Sequence, residues 1–151
     1  MKSTKSFGSD EEVVKDKDRE LRLKILDILY DLFKASLNHD FELVKDLHWN
    51  GEEFTKIGAT DALGISNFHE AMELEKHAFA NINNGQFFID DFHYTKIDRV
   101  IITVFILKVR GVYKPIAKDM ESQRRATVIF FETPDGLKIL HKHYSAFPIA
   151  F

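Results

Sequence analysis

Apolar residues along the first part of the chain recur in a helical rhythm. Over residues 18–37 they return at three- and four-residue steps while charged residues occupy the other side, which predicts one long amphipathic helix. Asn38 is a residue type that ends helices, and Asp40 is a typical cap for a short second helix over residues 41–47. Two consecutive helices are therefore predicted before any strand.

The middle of the chain mixes a short strand with a third helix. Residues 54–57 form a predicted strand that follows an Asn-Gly turn. Residues 68–81 return to helical spacing behind Ser66 or Asn67, either of which is a suitable N-cap. The segment "NINNG" ends this helix, and the pattern of the chain changes after it.

The last part of the chain alternates and is rich in aromatic and β-branched residues, which is typical of strands. Strands are predicted over residues 86–97, 100–109, 124–132 and 137–147, with "TPDG" as the turn of the last hairpin. Residues 111–123 are polar and contain a proline, and they are predicted to be a loop. The order of elements predicts an α+β fold in which a long helix lies across a curved antiparallel sheet.

Composition narrows the classes of function. The 151 residues suit one domain, predicted over residues 18–151, behind a polar and mobile tail over residues 1–17. The net charge of −3 gives no indication of binding to nucleic acid or an anionic membrane, so we expect neither as a partner, and no apolar run reaches the length of a membrane helix. The absence of cysteine excludes disulfides and thiolate chemistry. We expect a cytoplasmic protein, and its 14 phenylalanines suggest a lined cavity or an oligomer face.

The last strand carries a His-x-His pair at His141 and His143. Strict alternation predicts one strand face made of Leu137, Ile139, His141, His143 and Ser145. Two histidines at this spacing reach one metal ion only with a third ligand, and no other ligand stands at a telling spacing. We therefore predict no metal site, and we interpret the pair as packing or oligomer-contact residues.

Four segments resemble the nuclear-transport-factor-2-like (NTF2-like) superfamily, in particular its SnoaL-like branch, over about residues 18–148. They are "LNHDFELVKDL", "EEFTKIG", "GISNFHEAMELE" and "ATVIFFETPDGLKILHKHYSAFP". The closing segment is also similar to the end of the association domain of calcium/calmodulin-dependent protein kinase II. The resemblance implies a cone-shaped sheet wrapped by about three helices, an open apolar cavity, and frequent dimers through sheet faces. It implies no single function.

The resemblance also assigns sides and roles to individual residues. It places Lys142 and Tyr144 toward the cavity, with His141 and His143 on the outer face. It aligns His69 with a histidine at the cavity edge, where a helix N-terminus favours the neutral base. His69 as general base with Tyr144 as hydrogen-bond donor is the catalytic hypothesis. The alternative is that His69 only packs or meets solvent.

The positions that serve catalysis in ketosteroid isomerases of this superfamily are not matched. By resemblance, their tyrosine falls at Phe33, their base near Gly58, and their second acid near Arg124 or Arg125. The cavity arginines of the kinase domain are replaced by Phe105, Val128 and Tyr144. These departures favour an apolar or aromatic ligand over a steroid-type isomerisation or a carboxylate held by arginines.

Three functions follow, in order of preference. The first is a small-molecule-binding protein that forms a homodimer and needs no cofactor. Its predicted ligand-binding residues are Tyr30, Trp49, Phe54, Met72, Phe105, Arg124 and Phe130. The second is an isomerase, cyclase or dehydratase that uses His69 as its base. The third is a non-catalytic assembly domain with oligomer contacts through the outer face of the last strand.

Overall fold

The computed structural model describes residues 9–59 and 64–146, with side chains from residue 18 onward. The chain divides into two compact units, Met1–Asp31 and Leu32–Phe151. Of the predicted tail, residues 1–8 lie outside the described residues, whereas the part from Ser9 onward is helical. No helix within the described ranges is long and apolar enough to cross a membrane.

The three predicted helices are present among the described residues. They are α1 (Ser9–Leu37), α2 (Phe41–Asp46) and α3 (Phe68–Ala80). In the first unit, Ile25 and Leu29 of α1 are buried, and in the second unit Leu32, Phe33 and Leu37 of α1 are buried. The apolar spacing therefore predicted correctly which side of α1 is withdrawn from water.

Local capping explains where α2 and α3 begin. The Asp40 side chain accepts a hydrogen bond from the backbone N–H of Leu43, and Asn67 forms a reciprocal capping box with Glu70. His39, in the left-handed region at φ 62°, follows α1. Its Nε2 lies 2.9 Å from the carbonyl oxygen of Phe79 near the end of α3. These contacts hold α3 at both of its ends.

One sheet of five strands follows the helices in the second unit. The strands are β1 (Thr55–Ile57), β2 (Ile82–Ile97), β3 (Val100–Tyr113), β4 (Lys118–Thr133) and β5 (Gly136–Ala146). Their order is β1-β5-β4-β3-β2, with β1 parallel to β5 and every other pair antiparallel. The sheet is curved and unclosed, and the predicted α+β class is confirmed.

The predicted loop over residues 111–123 is wrong. β3 continues to Tyr113 and β4 begins at Lys118, so that only a 3-10 turn over Lys114–Ile116 separates them. Gly111 pairs with Met120 in this extension. Backbone hydrogen bonds between the two strands hold the extension together although most of its side chains are polar and exposed. A reading based on side-chain polarity does not detect such pairing.

The predicted faces of β5 are also wrong, because the strand contains a β-bulge. Phe130 of β4 pairs with Ile139 and the preceding Ile129 pairs with His141, which leaves Leu140 as the extra residue. Ile139 and Lys142 are consequently both buried. The two histidines therefore do not share a face with Ile139, and the inward position of Lys142 that the resemblance implies is the observed one.

Candidate functional site

Three charged side chains meet in the interior of the second unit, and we call Lys56, Glu75 and Lys142 the ion cluster. The Lys142 Nζ donates a hydrogen bond to Glu75 Oε1, and the Lys56 Nζ lies 3.6 Å from the same oxygen. None of the three residues is more than 5% exposed. Buried charges of this kind are rare unless they are paired.

The sheet and α3 bring these residues together. Lys56 on β1 and Lys142 on β5 are direct partners in the parallel register, so their side chains leave the sheet on the same side. Glu75 lies on the buried side of α3 with Phe68, Ala71 and Met72. A helix turned by a quarter of a turn would remove this carboxylate from both lysines.

The carboxylate of Glu75 is held in its ionised form. Burial alone would raise its pKa, but the positive charges of Lys142 and Lys56, with a smaller contribution from His48, lower the pKa to about 2. Its Oε2 atom is buried and has no hydrogen-bond partner among the described residues. One oxygen of Glu75 is therefore engaged by the lysines, and the other remains an acceptor.

His48 lies beside the ion cluster as a neutral imidazole. Burial is the largest cause that lowers its pKa, to about 3, and Lys142 adds to the effect. The His48 Nδ1 donates to the carbonyl oxygen of Val44 at 2.5 Å, which places the ring lone pair on Nε2. This Nε2 has no hydrogen-bond partner within the described ranges.

A pocket of about 390 Å³ borders the ion cluster, and we call it the cluster pocket. We call four of its lining residues the polar end, namely Lys56, Glu75, Arg124 and Tyr144, and the lining also includes the polar side chains of His77, Asn81 and Ser122. Its apolar walls include Phe33, Leu74, Phe79, Ile82, Leu107 and Val109. Apolar walls with a few convergent polar groups are the usual composition of a small-molecule site.

Tyr144 and Arg124 supply hydrogen-bond donors to this polar end. Burial and the nearby charge of Glu75 raise the pKa of Tyr144 well above its usual value, so the phenol keeps its proton at neutral pH. The Arg124 Nη1 donates to the carbonyl oxygen of Gln123 at 2.9 Å, which orients the guanidinium. The polar end thus contains hydrogen-bond donors together with Glu75, the residue that carries an unpartnered acceptor.

The structure does not bring His69 and Tyr144 to one pocket. His69 is exposed at the start of α3 and lines a separate cleft with His48, Met72 and Glu73, which we call the His69 cleft. Met72 was predicted to contact the ligand and belongs to the same cleft. Of the residues predicted from the sequence, Arg124 and Tyr144 are those that border the cluster pocket.

The remaining predicted ligand residues lie in other surroundings. Phe54, Phe105 and Phe130 are buried core residues. Phe54 packs edge-on against Phe68 with ring centroids 6.0 Å apart. Trp49 donates its indole N–H to Glu53 Oε2 at 2.9 Å. Tyr30, in the first unit, is 45% exposed.

The positions aligned with the isomerase catalytic residues do converge. Phe33, Gly58 and Arg124 all border the cluster pocket, although they lie on different elements of the second unit. The departures from the isomerase pattern therefore fall in the lining of one pocket, where a phenylalanine, a glycine and an arginine replace the acid–base set.

Sequence reasoning missed Lys56, Glu75 and His48 as site residues. Glu75 stands at a position of α3 that the apolar spacing assigns to the buried side, seven residues after Phe68. A charge at such a position is the signal that could have identified it. Lys56 lies in a strand too short to define its faces, and no pattern in the sequence distinguishes His48.

His141 lies on the other side of β5, away from the ion cluster. Its Nδ1 and the Thr55 Oγ1 share a hydrogen bond of 2.8 Å, and its ring lies 6.4 Å from that of His143. Burial and then the neighbouring His143 lower the pKa of His141. The described residues contain no group of three potential ligands that could hold a metal ion.

Comparisons with known proteins agree on the fold. The SnoaL-like domain family matches residues 25–150, and no curated protein matches the chain. An NTF2-like superfamily protein from Salmonella enterica serovar Typhimurium is 14% identical, with a TM-score of 0.77 over 89% of this chain and 96% of that one. An NTF2-like protein from Streptomyces avermitilis with the provisional name dehydratase is 18% identical, with a TM-score of 0.75 over 89% and 99%. The association domain of C. elegans CaMKII is 15% identical, with a TM-score of 0.70 over 87% and 99%.

Proposed function

Because this chain belongs to the SnoaL-like domain family, we propose that it is a small-molecule-binding protein whose ligand occupies the cluster pocket. The observation that carries the proposal is an apolar pocket of about 390 Å³ that ends at a buried group of charges. This volume lies near the lower end of the range for small-molecule sites, which is roughly 300–1,000 Å³. A ligand of one or two fused rings fits such a space.

The walls of the pocket favour a ligand with an apolar or aromatic body. Phe33, Leu107 and Val109 remove apolar surface of the ligand from water, which supplies most of the binding free energy. Tyr144 and Arg124 hold a polar atom at one end and so fix the orientation. This ligand class matches the one expected from the sequence, and the residues that hold the ligand differ from most of those predicted.

Ala78→Trp is expected to weaken binding of a fused-ring aromatic compound by at least about tenfold, because the indole fills the pocket. Ala78 is exposed on α3 and lines the pocket, so the substitution does not disturb the core. Ala80→Trp is the matched control, since Ala80 is exposed on the same helix and does not border the pocket. Isothermal titration calorimetry with 2-methoxynaphthalene measures the affinity of each variant for this ligand. Equal affinities for the two variants would contradict the proposed site.

A second candidate function is an enzyme of the isomerase, cyclase or dehydratase type. Titratable groups with strongly shifted pKa values beside a pocket are typical of active sites, and Glu75, His48 and Tyr144 satisfy that description. The Tyr144 phenol and the nearby cations are suited to stabilise a developing oxyanion. His69 would act as base only in a reaction at its own cleft. If the reaction takes place in the cluster pocket, we expect the Ala78→Trp variant to lose catalytic activity together with ligand binding.

The proposed homodimer forms through the outer face of β3. Ile102, Val104 and Ile106 project from that face, and Val104 is 42% exposed. The second apolar face of such a strand is stabilised when it is also removed from water. Packing against a second copy of this chain would bury it, as the resemblance leads us to expect.

Val104→Asp is expected to convert the dimer to a monomer, because a carboxylate in an apolar interface is strongly unfavourable. Light scattering coupled to size exclusion gives the mass directly. Lys114→Asp is the control, since Lys114 lies in the exposed turn between β3 and β4. If the wild-type protein is itself a monomer, the proposed homodimer is wrong and no variant is needed to show it.

A further inference from the structure

We infer that the cluster pocket selects ligands that carry a hydroxyl group on the apolar body, such as an alcohol, a phenol or an enol. The hydroxyl donates to Glu75 Oε2 and accepts from a donor of the polar end. The inference rests on the proposed function, because it specifies the ligand of the same pocket. The observations behind it are the unpartnered carboxylate oxygen of Glu75 and the donors of Lys56, Arg124 and Tyr144, which line the same pocket.

Glu75 is distinguished from the other buried groups that have an unpartnered atom. Within the described ranges, such atoms belong to His48, Ser66 and Glu75. Ser66 does not border the cluster pocket, and His48 lines the His69 cleft instead. Glu75 alone of the three lines the cluster pocket. A buried acceptor without a donor is costly, so a ligand that supplies the donor gains affinity.

The groups of the polar end do not satisfy other ligand head groups equally well. A carboxylate is attracted by Lys56 and Arg124, but it brings acceptors only and leaves Glu75 Oε2 without a donor. An ammonium group satisfies Glu75 but is repelled by Lys56 and Arg124, which border the same end. An ether accepts from the donors and offers no hydrogen to Glu75. A hydroxyl both donates and accepts without carrying charge.

Contact with the ligand requires a small movement of the Glu75 side chain. Its Oε2 has almost no contact with solvent, although the residue borders the pocket. The Lys142 Nζ donates to the other oxygen, and this hydrogen bond is compatible with a turn of Oε2 toward the pocket.

Three ligands of one shape test the inference on the wild-type protein. Isothermal titration compares 2-naphthol, 2-methoxynaphthalene and 2-naphthoate, which differ in the hydroxyl, ether or carboxylate on one ring system. We expect 2-naphthol to bind at least about tenfold more tightly than either analogue, as for a hydrogen bond to a charged group. Equal binding of naphthol and ether, or tighter binding of naphthoate, overturns the inference and leaves the proposed function standing. No binding by any of the three contradicts both.

The Glu75→Gln variant tests whether the preference for a hydroxyl over an ether depends on this residue. The amide keeps the shape of the carboxylate and loses its charge, so we expect the ratio of naphthol to ether affinity to fall about tenfold. Glu73→Gln is the control, because Glu73 is exposed on the same helix and lines the His69 cleft. A ratio unchanged in Glu75→Gln overturns the assignment. If that variant fails to fold, the three ligands on the wild-type protein still decide the inference.

Discussion

Glu75→Leu is expected to lower the free energy of unfolding by roughly 3–5 kcal/mol, the usual cost of removing one partner of a buried ion pair. Leucine replaces the carboxylate with an apolar side chain of similar size, so little of the loss comes from packing. The loss arises because Lys142 and Lys56 lose the carboxylate that both contact. Urea denaturation at neutral pH, with the linear dependence of free energy on urea, measures the change.

Two further variants separate the electrostatic cost from a general effect of altering α3. Glu73→Leu changes an exposed carboxylate two residues away and is expected to stay within about 0.5 kcal/mol of the wild type. Adding Lys142→Met to Glu75→Leu is expected to restore part of the lost stability, since one uncompensated charge is removed with its partner. A Glu75→Leu protein as stable as the wild type would show that the ion cluster does not hold these elements together.

Lowering the pH from 7 to 3 is expected to reduce stability by on the order of 4 kcal/mol through His48 alone. The folded-state pKa of His48, about 3, lies below its ordinary value of 6.5. Between pH 6.5 and about pH 3, the unfolded chain therefore binds a proton at this histidine and the folded chain does not. The stability is fully present above pH 6.5 and falls as the pH drops through that window.

Glu75 adds a second loss at lower pH. Its folded-state pKa of about 2 lies below its ordinary value of 4.5, so its contribution is present above pH 4.5 and declines as the pH falls toward 2. Denaturation midpoints from pH 7 to pH 4.5 therefore report mainly on histidine. His48→Asn is expected to make this part of the profile flatter, and His69→Ala, a substitution at an exposed histidine, is the control. A wild-type profile that is flat above pH 4.5 would contradict the assignment of a neutral, buried His48.

The sequence predicts the elements better than it predicts their pairing. The helices and the capping roles of Asp40 and Asn67 follow from local chemistry, which acts within a few residues of the chain. The extension of β3 and β4 around Lys114–Ile116 depends on two backbones that meet across the sheet. Side-chain polarity gives no information about such backbone pairing, and for that reason the loop prediction failed.

The candidate site was predictable only in part for a related reason. The resemblance singled out Phe33, Gly58 and Arg124 as positions that are catalytic in isomerases, and these three residues border the cluster pocket. The ion cluster requires in addition that Lys56 stand beside Lys142, which is a property of the β1–β5 register. These two residues are far apart in the sequence, and neither attracts notice by itself.

The extra residue at Leu140 has a consequence for the comparison of this chain with its relatives. After the bulge, the alternation of inward and outward side chains along the strand is displaced by one residue. Lys142 is therefore turned inward and the imidazole of His143 outward. An ungapped alignment to a relative with a regular strand would equate pocket positions here with surface positions there. A comparison with a relative that lacks the bulge therefore needs a one-residue gap at position 140 before any lysine or tyrosine is judged equivalent.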